Sequence, residues 1–230
     1  MKSEILLEQG LARLQLPFFA KHHAAISSEA AQAAWSHARF LETLVVGEVA
    51  RRDEALIQRR VKAARLPGIK TLDQFDWSFP HKINRAQIQH LFRLGFLKEH
   101  TNVILLGGVG VGKTHLATAL AHTACLHGQT TLFTSAVDIV NSLAAVQLAG
   151  GIKREMARLA KPSLLVIDEL GYLPIDKFGA DALFQVISQR YERGSMVLTT
   201  NRAFKSWPEI FNNDSSLTSA LLDRLLHHAE

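Results

Sequence analysis

Residues 103–114 read Val103-Ile104-Leu105-Leu106-Gly107-Gly108-Val109-Gly110-Val111-Gly112-Lys113-Thr114. The four apolar residues that open the stretch have the composition of a short strand buried on both faces. A glycine-rich turn follows, and Lys113-Thr114 starts a helix. The spacing Gly107-x4-Gly112-Lys113-Thr114 is a complete phosphate-binding loop. Glycine lets the backbone take positive φ and approach a phosphate with no Cβ in the way. The N–H groups of the loop and of the helix start, from Gly107 and Gly108 through Val109, Gly110, Val111 and Gly112 to Lys113, Thr114 and His115, then face an anion with the helix dipole behind them. Lys113 is placed to reach the β- and γ-phosphates, and the Thr114 hydroxyl to bind Mg²⁺. The strand-turn-helix context implies binding of a nucleoside triphosphate; the alternative is a turn that binds nothing.

A second stretch supplies what such a loop lacks. Leu164-Leu165-Val166-Ile167 is another buried strand, and it ends in Asp168-Glu169. Asp168 at the carboxyl end can hold the Mg²⁺ shell. Glu169 can orient and deprotonate an attacking water. Asn201, after the strand expected over 196–200, is expected between the two motifs, where it also can position water. The adjacent carboxylates favour hydrolysis. A small-molecule kinase and a nucleotide-binding adaptor that barely hydrolyses are the rival classes.

Around these stretches, strands at 103–106, 130–134, 164–167 and 196–200 alternate with helices at 113–127, 138–148, 153–159, 179–191 and 217–228. That alternation predicts an α/β fold with a parallel sheet and right-handed crossovers. A lead-in helix is expected over 84–97, behind the aromatic segment Phe75-Asp76-Trp77, which either flanks an adenine or pins the linker by packing.

The N-terminal part lacks a nucleotide motif. A short helix is expected over 4–14 with Ile5, Leu7, Leu11 and Leu14 near one face, ended by Pro17. Ser27-Ser28-Glu29 looks like an N-cap for a long helix over 29–64. Trp35, Ala38, Leu41, Val45, Val49 and Leu56 form its expected apolar stripe. Its second half carries Arg51, Arg52, Arg59, Arg60, Lys62 and Arg65 before Pro67-Gly68 stops it. These charges serve equally well as DNA phosphate contacts or as a solvated face.

Composition bounds the rest. The chain has 230 residues, enough for one large domain or a core with an appendage. No apolar run reaches the roughly 18 residues of a membrane span, and Met1-Lys2-Ser3-Glu4 lacks a signal-peptide pattern. One cysteine, Cys125, leaves no internal disulfide and fits a reducing compartment, so the expected location is the cytoplasm with no membrane partner. Twenty-six Lys and Arg against 21 Asp and Glu give a net charge of +5, a weak pointer to a polyanionic partner.

Five stretches, in order, carry a resemblance. They are Gly110-Val111-Gly112-Lys113-Thr114-His115-Leu116-Ala117, Asp168-Glu169-Leu170-Gly171-Tyr172-Leu173-Pro174, Arg190-Tyr191-Glu192-Arg193-Gly194-Ser195, Leu198-Thr199-Thr200-Asn201-Arg202 and Leu221-Leu222-Asp223-Arg224-Leu225-Leu226-His227-His228. Together the chain resembles the IstB-type ATP-binding helpers of insertion-sequence transposition, relatives of the DnaC-type helicase loaders within the AAA+ ATPases. The Asp168 to Pro174 stretch is the most specific part.

The resemblance implies a P-loop AAA+ three-layer core over 99–230, a linker and lead-in helix over 69–98, and a small helical N-terminal domain over 1–68 that contacts DNA or a partner. It implies ATP with Mg²⁺ at Lys113, Thr114, Asp168 and Glu169, Asn201 as a sensor, and Arg224 as an arginine finger for a neighbouring subunit. An Asp223–Arg224 surface pair is the local alternative. The resemblance further implies homo-oligomers on duplex DNA and a transposase partner; the sequence shows no base-reading module such as a helix-turn-helix or zinc finger, so little sequence preference is expected. A helical insertion would face the duplex, bringing Lys153, Arg154 and Arg158 to its phosphates. A replicative helicase partner is the alternative. Family members continue into a last core strand and a lid with a further sensor arginine, so with Glu230 as the last residue the expected fold lacks that lid.

Overall fold

The computed structural model describes residues 2–79, 83–147 and 150–229. It divides into two compact units, Met1–Arg59 and Arg60–Glu230.

The larger unit is built on a parallel sheet whose strands are β1 (Val103–Leu106), β2 (Thr131–Ser135), β3 (Leu164–Leu170) and β4 (Ser195–Thr200), in the spatial order β1-β4-β3-β2. The P-loop strand β1 therefore pairs with β4, in the register Val103 to Val197 and Leu106 to Thr200. β3 is buried on both faces because its side chains alternate between two cores. Leu165 and Ile167 join one with Met196 and Leu198, while Leu164 and Val166 join the other with Val103 and Val197. This unit therefore forms three layers, and the phosphate-loop and acidic motifs lie at the carboxyl ends of the strands, the usual ligand side of an open α/β sheet.

The helices of this unit are, in chain order after the N-terminal ones, α4 (Arg85–Leu91), α5 (Gly95–Lys98), α6 (Lys113–Leu126), α7 (Ala136–Gln147), α8 (Ile152–Ala160), α9 (Lys177–Arg190), α10 (Trp207–Ile210) and α11 (Ser215–Leu226). The single lead-in helix expected over 84–97 is two pieces, because Leu94 takes φ +60 between them. Helix α10 carries no periodic signal and was not expected. Its Trp207, and Phe211 just after it, are nonetheless fully buried. The far end of the expected helix 138–148, Leu148, lies outside the described residues. Just after α11, His228 O accepts the Asn102 N–H at 2.8 Å, and Asn102 forms a parallel bridge with Ala229 at the foot of β1.

Arg190 ties three segments of this unit together. It is fully buried, and its guanidinium donates to the carbonyls of Leu159, Ala160, Pro162, Ser163 and Ser195 at 2.8–3.3 Å. Nε alone has no partner. The side chain thus closes the carboxyl end of α8 and fixes the starts of β3 and β4. Burial lowers its pKa to about 10, still charged at neutral pH.

The first unit holds α1 (Lys2–Arg13), α2 (Pro17–Gln32) and most of α3 (His37–Ala63). Pro17 opens α2 at its first turn, where proline lacks only an N–H that would be unpaired anyway; it does not merely end α1. Ser27, Ser28 and Glu29 lie inside α2, so the expected long helix is two. The expected stripe is also misplaced. Leu41, Val45, Val49 and Leu56 are exposed, and the buried residues of α3 are Leu44 and Glu48. Gly47 lies between them because a Cβ there would fall 2.0 Å from the Phe18 ring. In α1, Leu11 is buried while Leu7 is exposed, as is Leu14 just past its end, and the Ile5 side chain lies outside the described residues.

Glu48 is the polar centre of this unit. Its carboxylate accepts the Phe18 N–H at the first turn of α2 at 2.8 Å, and it pairs with Arg51 at 2.6 Å and Arg52 at 3.0 Å. The Arg51 hydrogen bond foremost lowers its pKa from 4.5 to about 2, against the opposing effect of burial. A depressed carboxylate pKa stabilises the fold above the unfolded value and loses that contribution as pH falls through the folded one. The stability difference between the native chain and Glu48→Gln should therefore be constant above about pH 5 and shrink between pH 4.5 and 2. Thermal unfolding followed across that range checks this; a difference unchanged down to pH 2 would contradict it.

Candidate nucleotide site

The P-loop is shaped by what backs it. Gly110 and Gly112 take φ +80 and +87, conformations that penalise any Cβ. At Gly112 a Cβ would also lie 2.6 Å from the Phe75 ring. Phe75 is buried, edge-on to both Trp77 and His115, so the lead-in aromatics pin the loop by packing. The His115 ring nitrogen Nε2 lies 2.9 Å from the Thr71 carbonyl, which commits this side chain to the lead-in segment. Gly107, Gly108 and Val111 complete the loop, with Val109 strongly exposed at its tip.

Lys113 reaches back across the loop. Its ammonium donates to the Gly107 and Gly108 carbonyls at 2.9 and 2.7 Å. Burial lowers its pKa, and the Asp168 carboxylate opposes that shift. The two expected Mg²⁺ oxygens are brought together, because the Thr114 hydroxyl donates to Asp168 Oδ1 at 3.1 Å. A hydroxyl and a carboxylate oxygen beside an anion cradle are hard ligands that suit Mg²⁺.

The acidic pair is held by a residue that the motifs did not single out. The Thr199 hydroxyl on β4 donates to Asp168 Oδ1 and accepts the Glu169 N–H at 2.9 Å. β3 does not stop at Ile167 but runs to Leu170, with an irregularity in its pairing after Ile167. Within it Glu169 takes φ +59 and is exposed, whereas Asp168 is buried. The left-handed kink thus turns the second carboxylate outward from the strand that buries the first. Gly171 then turns back at φ +86, with no room for a Cβ against Ile210. In Leu198-Thr199-Thr200-Asn201-Arg202, the available signal for Thr199 was a hydroxyl on a strand lying between two functional strands.

β4 lies between β1 and β3, so Asn201, exposed just past its end, follows the strand that separates the loop from the acidic pair. Arg224 is on α11, its guanidinium 4.5 Å from the centre of the Phe184 ring on α9. Among the described ion pairs, none joins it to Asp223. Of the basic candidates, Arg51 and Arg52 are tied to Glu48, and Arg158 makes a two-pronged pair with Glu155 at 2.6 and 2.9 Å. Arg59, Lys62, Lys153 and Arg154 are exposed and Arg60 is half-buried.

A phosphate loop, a hydroxyl–carboxylate pair and an outward glutamate on a β1-β4-β3-β2 parallel sheet define a P-loop ATP-binding protein of AAA+ architecture. Residues 9–230 match the family described as IstB-like ATP binding protein, and the chain belongs to that family. It is 38% identical over 217 residues, 94% of this chain and 86% of the relative, to a Geobacillus stearothermophilus protein named as the ATP-binding protein of insertion sequence IS5376. It is 37% identical over 223 residues, 97% and 84% of the two chains, to the Pseudomonas aeruginosa protein so named for IS21. Solved structures with the same fold include DnaI, with TM-score 0.58, 17% identity and coverage of 74% of this chain and 90% of that one. The DnaC helicase loader has TM-score 0.54, 20% identity and coverage of 74% and 96%. Among the described residues no helix is long and apolar enough to cross a membrane.

Proposed function

We propose that this protein is an ATP-dependent DNA-transposition helper, which binds ATP with Mg²⁺, assembles as a homo-oligomer on duplex DNA and recruits or regulates a transposase. The observation that carries the ATPase part is the convergence of Thr114 and Asp168 beside Lys113, with Glu169 turned outward one residue on. Mg²⁺, held by Thr114 and Asp168, would neutralise charge on the phosphates. Lys113 exchanges the Gly107 and Gly108 carbonyls for phosphate oxygens. Glu169 accepts the proton of the attacking water, and Asn201 orients that water. Arg224 reaches the γ-phosphate bound by a neighbouring copy. Such a finger is worth on the order of 10³ to 10⁵ in rate. Hydrolysis then resets the assembly.

The names of the insertion-sequence relatives support the transposition setting. DNA contact rests on the basic candidates that, among the described residues, pair with no carboxylate: Arg59, Arg60, Lys62, Lys153 and Arg154. Phosphate release should rise on adding duplex DNA. Affinity for the duplex should fall with salt at a log–log slope of about −0.9 per phosphate contacted, with little dependence on sequence. A flat salt response contradicts phosphate contact, and a pull-down that recovers the replicative helicase in place of a transposase contradicts the helper role.

A further inference from the structure

We propose that Glu192, His227 and His228 form a binding site for a zinc-class divalent cation, at the point where α9 and α11 both end. One ligand atom from each residue lies within 4.8 Å of the other two, and His228 Nε2 is 3.8 Å from Glu192 Oε1. Zinc–ligand bonds of about 2.0–2.2 Å in tetrahedral geometry place ligand atoms roughly 3.3 Å apart. The three groups are exposed, so side-chain rotation suffices to bring them in.

Three features besides proximity favour a cation. The Tyr191 hydroxyl is 2.9 Å from His227 Nδ1, so in one tautomer His227 donates there and presents Nε2 to the metal. That is the supporting bond that zinc-bound histidines usually have. The carboxyl ends of α9 (Arg190) and α11 (Leu226) carry partial negative charge that favours a cation. Two imidazoles with one carboxylate suit zinc and its neighbours over Mg²⁺ or Ca²⁺, which prefer all-oxygen shells.

The nucleotide chemistry uses none of these residues. The site would nonetheless link two parts of the larger unit. α11 carries Arg224, His228 O holds Asn102 at the foot of β1, and Glu192 lies in the turn ahead of β4. A bound cation joins the end of α11 to that turn. The other adjacent pair, His22 and His23, is already engaged by the Phe18 ring and the Phe19 carbonyl.

The test is titration of the metal-free 230-residue chain with Zn²⁺ and with Co²⁺, whose visible absorption reports coordination. The expected result is one saturable site with low-coordinate Co²⁺ absorption and a raised Tm, unaffected by millimolar Mg²⁺. The double variant His227→Ala/His228→Ala should lose binding, and Tyr191→Phe should weaken it roughly tenfold or more. Circular dichroism of the variants confirms that they fold. Absence of saturable binding overturns the proposal, as does binding that survives loss of both histidines.

Discussion

Replacing Glu169 with glutamine should lower ATP hydrolysis about 10²- to 10⁴-fold, the usual contribution of a positioned general base, while leaving ATP affinity close to that of the native chain. The separation follows from where the two carboxylates sit. Asp168 is buried and bonded to the Thr114 and Thr199 hydroxyls, and in the proposed mechanism it serves binding. Glu169 contributes its backbone N–H to Thr199, and φ +59 turns its side chain into solvent on the site's open side. Glutamine preserves the shape, the kink and the N–H, and removes only the ability to take a proton. Phosphate release and nucleotide binding measured on the same preparation decide the matter. Retained turnover would remove Glu169 from the chemistry and favour a base elsewhere.

Arg190→Met should be the costliest single change to stability. Methionine fills part of the space but supplies none of the donors that serve five carbonyls. Buried acceptors left unpaired cost about 1–3 kcal/mol each. Some of these carbonyls have or can find another donor, so a net loss of roughly 3–5 kcal/mol is expected. For a unit of this size that lowers Tm by on the order of 10 °C. Arg193, three residues on and exposed, is the control, and its replacement by alanine should cost less than about 0.5 kcal/mol. Gly194 belongs to the same arrangement, because a Cβ there would lie 2.8 Å from Arg190 Nη2. Thermal unfolding of the Arg190 and Arg193 variants tests this; similar values for the two would refute it.

The nucleotide site was legible in the sequence because its signals are local. Gly107 to Thr114 and Leu164 to Glu169 each carry strand, turn and chemistry within a dozen residues, and the structure brings Thr114 and Asp168 together as their spacing implies. What failed depended on partners far along the chain. The α3 stripe was drawn through Val45 and Val49 because they are apolar, yet Phe18, 29 positions from Gly47, selects the face carrying Gly47 and Glu48. Arg190 stood in a stretch that carried the resemblance but received no role, since the carbonyls it serves come from α8 and from the starts of β3 and β4. Thr199 was a β-branched strand residue until its neighbour across the sheet proved to be Asp168. Positive φ at Leu94 and Glu169, both poor left-handed formers, is imposed by tertiary packing that no propensity records.

The central claim is that each ATP site is completed by a second copy, and subunit mixing tests it most directly. Glu169→Gln and Arg224→Ala chains should each be nearly inactive alone in the presence of ATP, Mg²⁺ and duplex DNA. Mixed in equal amounts, they form interfaces where one copy supplies Glu169 and its neighbour supplies Arg224. Statistical mixing predicts recovery of about a quarter of the native rate, allowing that the finger is worth on the order of 10³ or more. No recovery on mixing, or an Arg224→Ala chain as active as the native one, would contradict a shared site.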